Sequence, residues 1–239
     1  MPYLIMRLMA PLMSFGATLV DQNGPTLPFP GRSLLTGLIG NALGWRHGDT
    51  TQLQRLQNHL QHGVRADRRP GTITDYQTAD LGQDFLVAKG WTTRGRREDR
   101  GKGAATTGTH IRYRDYLADG AFTVALTVPP EADVILETIA AALHRPARPL
   151  FIGRKPCLPS VPIVGEPTAA VIDATDMATA LRIPACCAET TESHLNCWVP
   201  DPDGDVEVCD TRDWASQLHV GRTRYRHDRI PAEEICHAY

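Results

Sequence analysis

An α+β fold with a ferredoxin-like core is what this 239-residue sequence predicts, and three observations predict it. Hydrophobic periodicity gives the order β-α-β-β-α, and one further apolar run completes the β-α-β-β-α-β arrangement of the split βαβ fold. A proline-rich stretch from Pro146 to Pro167 then reads as an extended, stiff crossing segment. Beyond it, short alternating runs predict a small, mostly β C-terminal lobe. The expected division is residues 1–150 as the ferredoxin-like domain and residues 151–239 as crossing segment and lobe. A hydrophobic content of 42% is enough to build such a core.

The elements follow in order. Tyr3 to Met9 alternates as a strand, with apolar residues on both faces that suit a central position in a sheet. Pro30 and Gly31 break the chain, and Ser33 is a good N-cap for the helix that follows. Along that helix Ser33, Gly37, Gly40 and Gly44 form a flat stripe, while Leu34, Leu35, Leu38, Ile39 and Leu43 are available for a core. Thr51 to His62 carries a second helical pattern, and Val64 to Arg68 returns as a short strand. His110 to Leu117 and Ala121 to Val128 read as a hairpin around Ala118-Asp119-Gly120. Glu131 to Leu143 has helical spacing with acids in its first turn, and the sixth strand is placed near Leu150 to Ile152. In the C-terminal part, Leu195 to Val199 and Val206 to Cys209 read as a hairpin around Pro202-Asp203-Gly204.

Formal net charge is -2, so the total does not announce a polyanion. The distribution is more informative. From Trp91 to Arg114 there are seven basic residues (Arg94, Arg96, Arg97, Arg100, Lys102, Arg112, Arg114) against Glu98 and Asp99, with glycines between them. Such an arm can lay several arginines on successive phosphates, although a solvated surface loop has the same composition. A second basic cluster, Arg222, Arg224, Arg226 and Arg229, follows the acidic stretch Asp201 to Glu207. No apolar run is long enough to span a membrane, and the N-terminal residues do not form a secretion signal. The six cysteines lack CxxC or framework spacing and read as reduced thiols, which fits a cytoplasmic protein without metal or other cofactor.

Two constellations bear on chemistry. At the Ser33 helix, Arg32 stands where backbone donors and the helix dipole favour a phosphate; close packing of the helix with Arg32 as a surface charge fits the same residues. For metal-free RNA cleavage the proton carriers in reach of the basic arm are His110, Tyr113, Tyr116, Lys102 and His144, at spacings that define no pair. Trp91 offers a ring for stacking, but 6% aromatic content and no match to the RRM consensus argue for shape and backbone contacts over base-by-base reading. No P-loop, Rossmann or GxSxG signature is present, and no cluster has metal-ligand spacing.

An ordered set of motifs goes further. Phe29-Pro30-Gly31-Arg32-Ser33 with its glycine-spaced helix is followed by Asp75-Tyr76-Gln77-Thr78, then by Arg114-Asp115-Tyr116-Leu117-Ala118-Asp119 running into Phe122-Thr123-Val124-Ala125-Leu126, then by Gly153-Arg154-Lys155-Pro156-Cys157. Over residues 3 to about 166 this resembles the CasD family of the RAMP superfamily, the guide-RNA-capping subunits of type I-E CRISPR Cascade. The resemblance implies a ferredoxin-like body, a basic thumb hairpin at about 89–110, and a grip on the 5′ handle of the guide RNA. It implies an RNA-binding set of Ser14, Arg32, Ser33, Tyr76, Arg94, Arg96, Arg97, Lys102, His110, Arg112, Arg114, Arg154 and Lys155. It also implies contacts with the backbone and large subunits and with target DNA in the assembled complex. Family members of this subtype are non-catalytic, whereas a related subtype uses its counterpart as a metal-independent endoribonuclease. Here Gln77 stands where the related pattern often has histidine, which favours binding over cleavage.

Overall fold

The computed structural model describes residues 1–80, 89–91, 97–99, 108–183 and 192–235, with the backbone alone at 89–91 and 97–99. Strand β1 (Pro2–Met13) is longer than expected, and the two-residue β2 (Asn23–Gly24) follows it. Helices α1 (Arg32–Ala42) and α2 (Thr50–His59) come next, then β3 (Gln61–Arg68) and β4 (Gly71–Asp80). The short strands β5 (Lys89–Trp91) and β6 (Arg97–Asp99) precede the long β7 (Thr109–Thr127) and helix α3 (Leu136–His144). The last part holds α4 (Pro167–Ala170), β8 (Val171–Asp173), α5 (Met177–Ala180), β9 (His194–Pro200), β10 (Val206–Asp213) and β11 (Leu218–Pro231).

Among the described residues a nine-stranded sheet runs β10-β11-β9-β3-β7-β1-β8, with β2 and β4 also paired to β7. The apolar residues on both faces of β1 are explained by its neighbours. Leu4, Met6 and Leu8 meet Leu35 and Ile39 of α1 and Ile139 and Leu143 of α3 in the main core, while Tyr3 and Ile5 meet Met177, Ala180 and Leu181 on the other face. The crossing segment covers the outer edge of β1, where Ile152, Ser160 and Ile163 exchange backbone hydrogen bonds with Ser14, Met9 and Arg7. An edge covered in this way is closed to pairing with another chain.

Several expected elements differ. The Ala118-Asp119-Gly120 turn does not form: β7 runs through it, pairing with β1 from Leu126 to Leu117 on one side and with β3 and then β4 on the other. Partners on both sides outweigh the local turn preference, which survives only as a bend with Asp119 at φ 52°. Strands β3 and β4 are not partners of each other: they follow one another along the same side of β7, interrupted at Arg69-Pro70. Helix α3 starts at Leu136, five residues later than Glu131. No strand forms at 150–152; β8, antiparallel to Pro2–Leu4, takes that edge of β1. Strands β9 and β10 are not partners, because β11 lies between them, and β9 joins β3 through Val64↔Trp198 and Arg65↔Cys197. The sheet is therefore continuous from the first part of the chain into the last.

A buried ion pair ties the second core to the sheet. Arg65, 1% exposed, donates from Nε to Asp67 Oδ1 at 2.5 Å and from its terminal nitrogens to Thr123 Oγ1 and to the carbonyls of Leu181 and Ile183. Thr123 Oγ1 in turn donates to Asp67 Oδ2 at 2.6 Å. Next to Arg65, burial pushes the Cys197 thiol up to about 12, so it stays protonated and unreactive.

Candidate nucleic-acid interface

The start of α1 departs from expectation. Gly31, not Ser33, is the N-cap residue, and no side chain of the helix's own turn caps it. The cap comes from 178 residues away: Asp210 Oδ2 accepts from the Arg32 N–H at 3.0 Å and from the Tyr225 hydroxyl at 2.7 Å, while Oδ1 accepts from Thr223 Oγ1 at 2.6 Å. Gly31 permits this approach, since a Cβ there would lie 2.7 Å from Asp210 Cβ. The anion at this helix start is thus the chain's own carboxylate, fully buried. Arg32 turns its Nε into the interior, without a hydrogen-bond partner among the described residues, and Ser33 stands one residue further on.

His62 completes this network, with Nε2 3.0 Å from the Pro30 carbonyl and 3.4 Å from the Tyr225 hydroxyl. Burial, with the Arg32 charge adding to it and Asp210 opposing, lowers its pKa to about 4. The folded chain therefore holds His62 neutral, whereas the unfolded chain protonates it near its ordinary value. The contribution is full above pH 6.5 and is lost as the pH falls toward 4. The expected loss is about 3 kcal/mol, read as a falling urea midpoint between pH 7 and 4.5, with a flatter profile for His62→Gln. His219, also pushed down by burial and by Arg212, adds to the slope with the same sign.

The half of β7 that precedes the Asp119 bend extends away from β3, held between β4 and β2. Strand periodicity puts His110, Arg112 and Arg114 on one face, opposite Ala79, Gln77 and Asp75 of β4. Arg112 donates to the Asp21 carbonyl at 2.9 Å, and Arg114 has no ion-pair partner among the described residues. Tyr76 and Tyr113 lie on the opposite face, their rings 5.4 Å apart and Tyr76 56% exposed. At the base of the row Arg154 lies over the Tyr116 ring and donates to the carbonyls of Asp115 and Gly24, both at 2.8 Å. Gly153, at φ 105°, lets this segment press against Ser14, and Lys155 is exposed beside it.

Within the segment expected to form a thumb, strands β5 and β6 pair antiparallel, Lys89↔Asp99 through Trp91↔Arg97. Arg94, Arg96 and Lys102 lie outside the described residues, as do the side chain of Arg97 and most of the basic arm between Trp91 and Gly108. The second basic cluster behaves differently from the β7 row. Arg222 and Arg224 pair with Glu207, and Arg226 with Asp201 and Asp228, so most of that charge is answered within the sheet. The proton-carrier candidates are scattered: Tyr116 is buried under Arg154, His144 Nδ1 meets the Gly165 carbonyl at the end of α3, and Lys102 lies outside the described residues.

Ser14, Ser33 and Arg154 come together on a cleft of about 480 Å³ lined also by Arg148, Arg212 and His219. Gly37 of the α1 stripe faces Trp214 across it, and Gly40 packs against Leu53 of α2. Gly44 is not part of the helix; it ends α1 at φ 84°. The sequence reading missed Asp210, Arg148, Arg212 and His219. Asp210 had a signal, a carboxylate at an inward position of the alternating run Val206-x-Val208-x-Asp210; the others had none.

Comparison with known proteins adds a lineage to this geometry. The family model for CRISPR-associated protein Cas5 matches residues 3–226. The CRISPR system Cascade subunit CasD of Escherichia coli strain K12 is 35% identical over 156 residues, 65% of this chain and 66% of that protein, so the aligned stretch spans just under two thirds of the relative. Among solved structures, a chain of a CRISPR RNA-guided surveillance complex is similar with a TM-score of 0.69 at 27% identity, covering 97% of this chain and 92% of the other. A crystal structure of a Cas protein shares the fold at 24% identity, with a TM-score of 0.67 over 98% of this chain and 97% of the other.

Proposed function

The chain belongs to the CRISPR-associated Cas5 family, and from that premise we propose that it is a Cascade subunit that binds and caps the 5′ handle of a guide RNA without cutting it. The body is read as ferredoxin-like, supported by the antiparallel order β3-β7-β1-β8, with β5–β6 as part of the thumb. The partners are the guide RNA, the backbone and large subunits of the complex, and target DNA bound by the assembly.

The observation that carries this reading is the row of His110, Arg112 and Arg114 on the outer half of β7. Among the described residues no carboxylate forms an ion pair with this row, unlike Arg222, Arg224 and Arg226 of β11, and a strand paired along its length with β4 presents alternate side chains at a spacing of about 7 Å, near the phosphate spacing of an extended single strand. Arg154, Lys155 and Ser14 stand at its base, the thumb arginines supply adaptable contacts, and Tyr76 offers a stacking ring on the reverse face. The endoribonuclease alternative needs two proton carriers in reach of one phosphate; the separate engagements of Tyr116 and His144 favour the binding reading.

Fluorescence anisotropy with a handle-bearing RNA tests it. The Arg112→Ala/Arg114→Ala variant is expected to bind about 10- to 100-fold more weakly, with a salt dependence shallower by about 1 to 2 in log–log slope. Repeat RNA incubated with the chain stays intact. Unchanged affinity and slope would remove the β7 row from the interface, and specific cleavage lost in His110→Ala would install the alternative.

A further inference from the structure

The cleft between α1, the crossing segment and the β10–β11 turn adjoins Ser14 and Arg154 of the handle reading and carries further groups that this reading does not use. Its lining includes Arg46, Arg148, Arg154 and Arg212, together with His47 and His219, and no carboxylate among the described residues. Arg212 and His219 are direct cross-strand partners. The Arg212 guanidinium lies 5.4 Å from the Trp214 ring centre and gives one terminal nitrogen to the Gln217 carbonyl at 3.0 Å. Arg148 is oriented by the Trp45 carbonyl. Both side chains are thus held in place, yet Arg148 Nε, Arg212 Nε and His219 Nδ1 are buried with no hydrogen-bond partner among the described residues. Buried polar nitrogens of this kind are costly unless something pairs with them. Oriented guanidinium groups around an acid-free cavity select an acceptor that is anionic and has several oxygens.

We propose that this cleft binds one phosphate group carried on a nucleotide, with the guanidinium groups of Arg148 and Arg212 as the cations that meet its oxygens and His219 at its edge. The cavity is larger than a phosphate alone requires, and Trp45 and Phe151 on its wall give a base or ribose apolar surface to lie against. The proposal rests on the RNA-binding reading only in taking RNA as one source of the phosphate; a free nucleotide is the other. An anion beside Arg212 offsets the charge that disfavours His219 protonation, while Asp210 and the Cys209 carbonyl on the same side are unchanged. Burial of the ring still holds its pKa down, so an anion there moves it upward from the lowered position.

The test uses the full chain with nitrogen-15-labelled histidine, the His219 signals being identified by their loss in His219→Gln. Adenosine monophosphate, inorganic phosphate and a short single-stranded RNA are titrated separately. The expected result is a saturable shift of the His219 ring nitrogens with adenosine monophosphate, weaker with inorganic phosphate. Affinity falls about tenfold or more in Arg148→Lys and in Arg212→Lys, which keep the charge and lose the planar guanidinium, and is unchanged in Arg55→Gln, on α2 at the Asp133 pair. If RNA also shifts His219, RNA is the source; if only the mononucleotide does, the source is a free nucleotide. RNA binding with His219 unmoved by any of the three ligands overturns the cleft proposal and leaves the RNA-binding reading standing. A His219 shift with adenosine monophosphate and no RNA binding does the reverse.

Discussion

Arg65→Met is expected to lower stability by about 3–5 kcal/mol, because it leaves the Asp67 carboxylate buried without its cation. The loss extends beyond the pair. Arg65 also supplies donors to the Leu181 and Ile183 carbonyls, so α5 and the second core, which meet the sheet through it, loosen together. Urea unfolding of the single variant should show a much lower midpoint. The Arg65→Met/Asp67→Leu pair should recover part of it, since an apolar pair of similar volume removes the stranded charge. Equal midpoints for parent and Arg65→Met would show that the ion pair contributes nothing net.

The second large effect is expected from Gly153→Ala. A Cβ at Gly153 would stand 1.8 Å from the Ser14 carbonyl oxygen, and the φ of 105° is one that alanine rarely adopts. Strain and overlap with backbone together should cost about 3 kcal/mol or more, a fall in melting temperature of roughly 6–12 °C for a chain of this size. Gly71→Ala, with nothing within 4 Å of its Cβ, should stay within about 0.5 kcal/mol of the parent. The Gly153 variant also bears on function. The same contact sets Arg154 over Tyr116 and Ser14 beside the cleft, so RNA affinity should fall in folded Gly153→Ala protein. A variant with parental melting temperature and affinity would show that the 152–157 segment can shift without consequence.

The Asp210 network places both results in context. The helix that looked built to receive a phosphate is capped by a carboxylate of the chain itself, and His62, Tyr225 and Arg32 are arranged around that charge. Among the described residues, Arg112 and Arg114 of β7 and the cleft arginines Arg148 and Arg212 are cations without an ion-pair partner that remain to meet a ligand.

What the sequence determined by itself is what depends on nearest neighbours along the chain. Periodicity located β1, α1, α2, β3 and α3 because burial of one helix face or both strand faces leaves a local imprint. The ordered motifs from Phe29 to Cys157 pointed to the family because they combine several local requirements in one order. Only the tertiary structure decided whether Ala118-Asp119-Gly120 turns or continues, since pairing with β1, β3 and β4 exceeds the preference of three residues. It also decided that β11 separates β9 from β10, because strand order is set by contacts far apart in sequence. The same holds for the sites. Ser33 was read as a cap from its position alone, but the group that satisfies the helix start comes from Asp210 on another strand. Arg112 and Arg114 were legible as charge, and Arg212 and His219 were not legible as a site. A cross-strand pair that closes a cavity acquires its meaning only when the sheet brings it to α1 and the crossing segment, and hydrogen-bond satisfaction is a property of the folded neighbourhood.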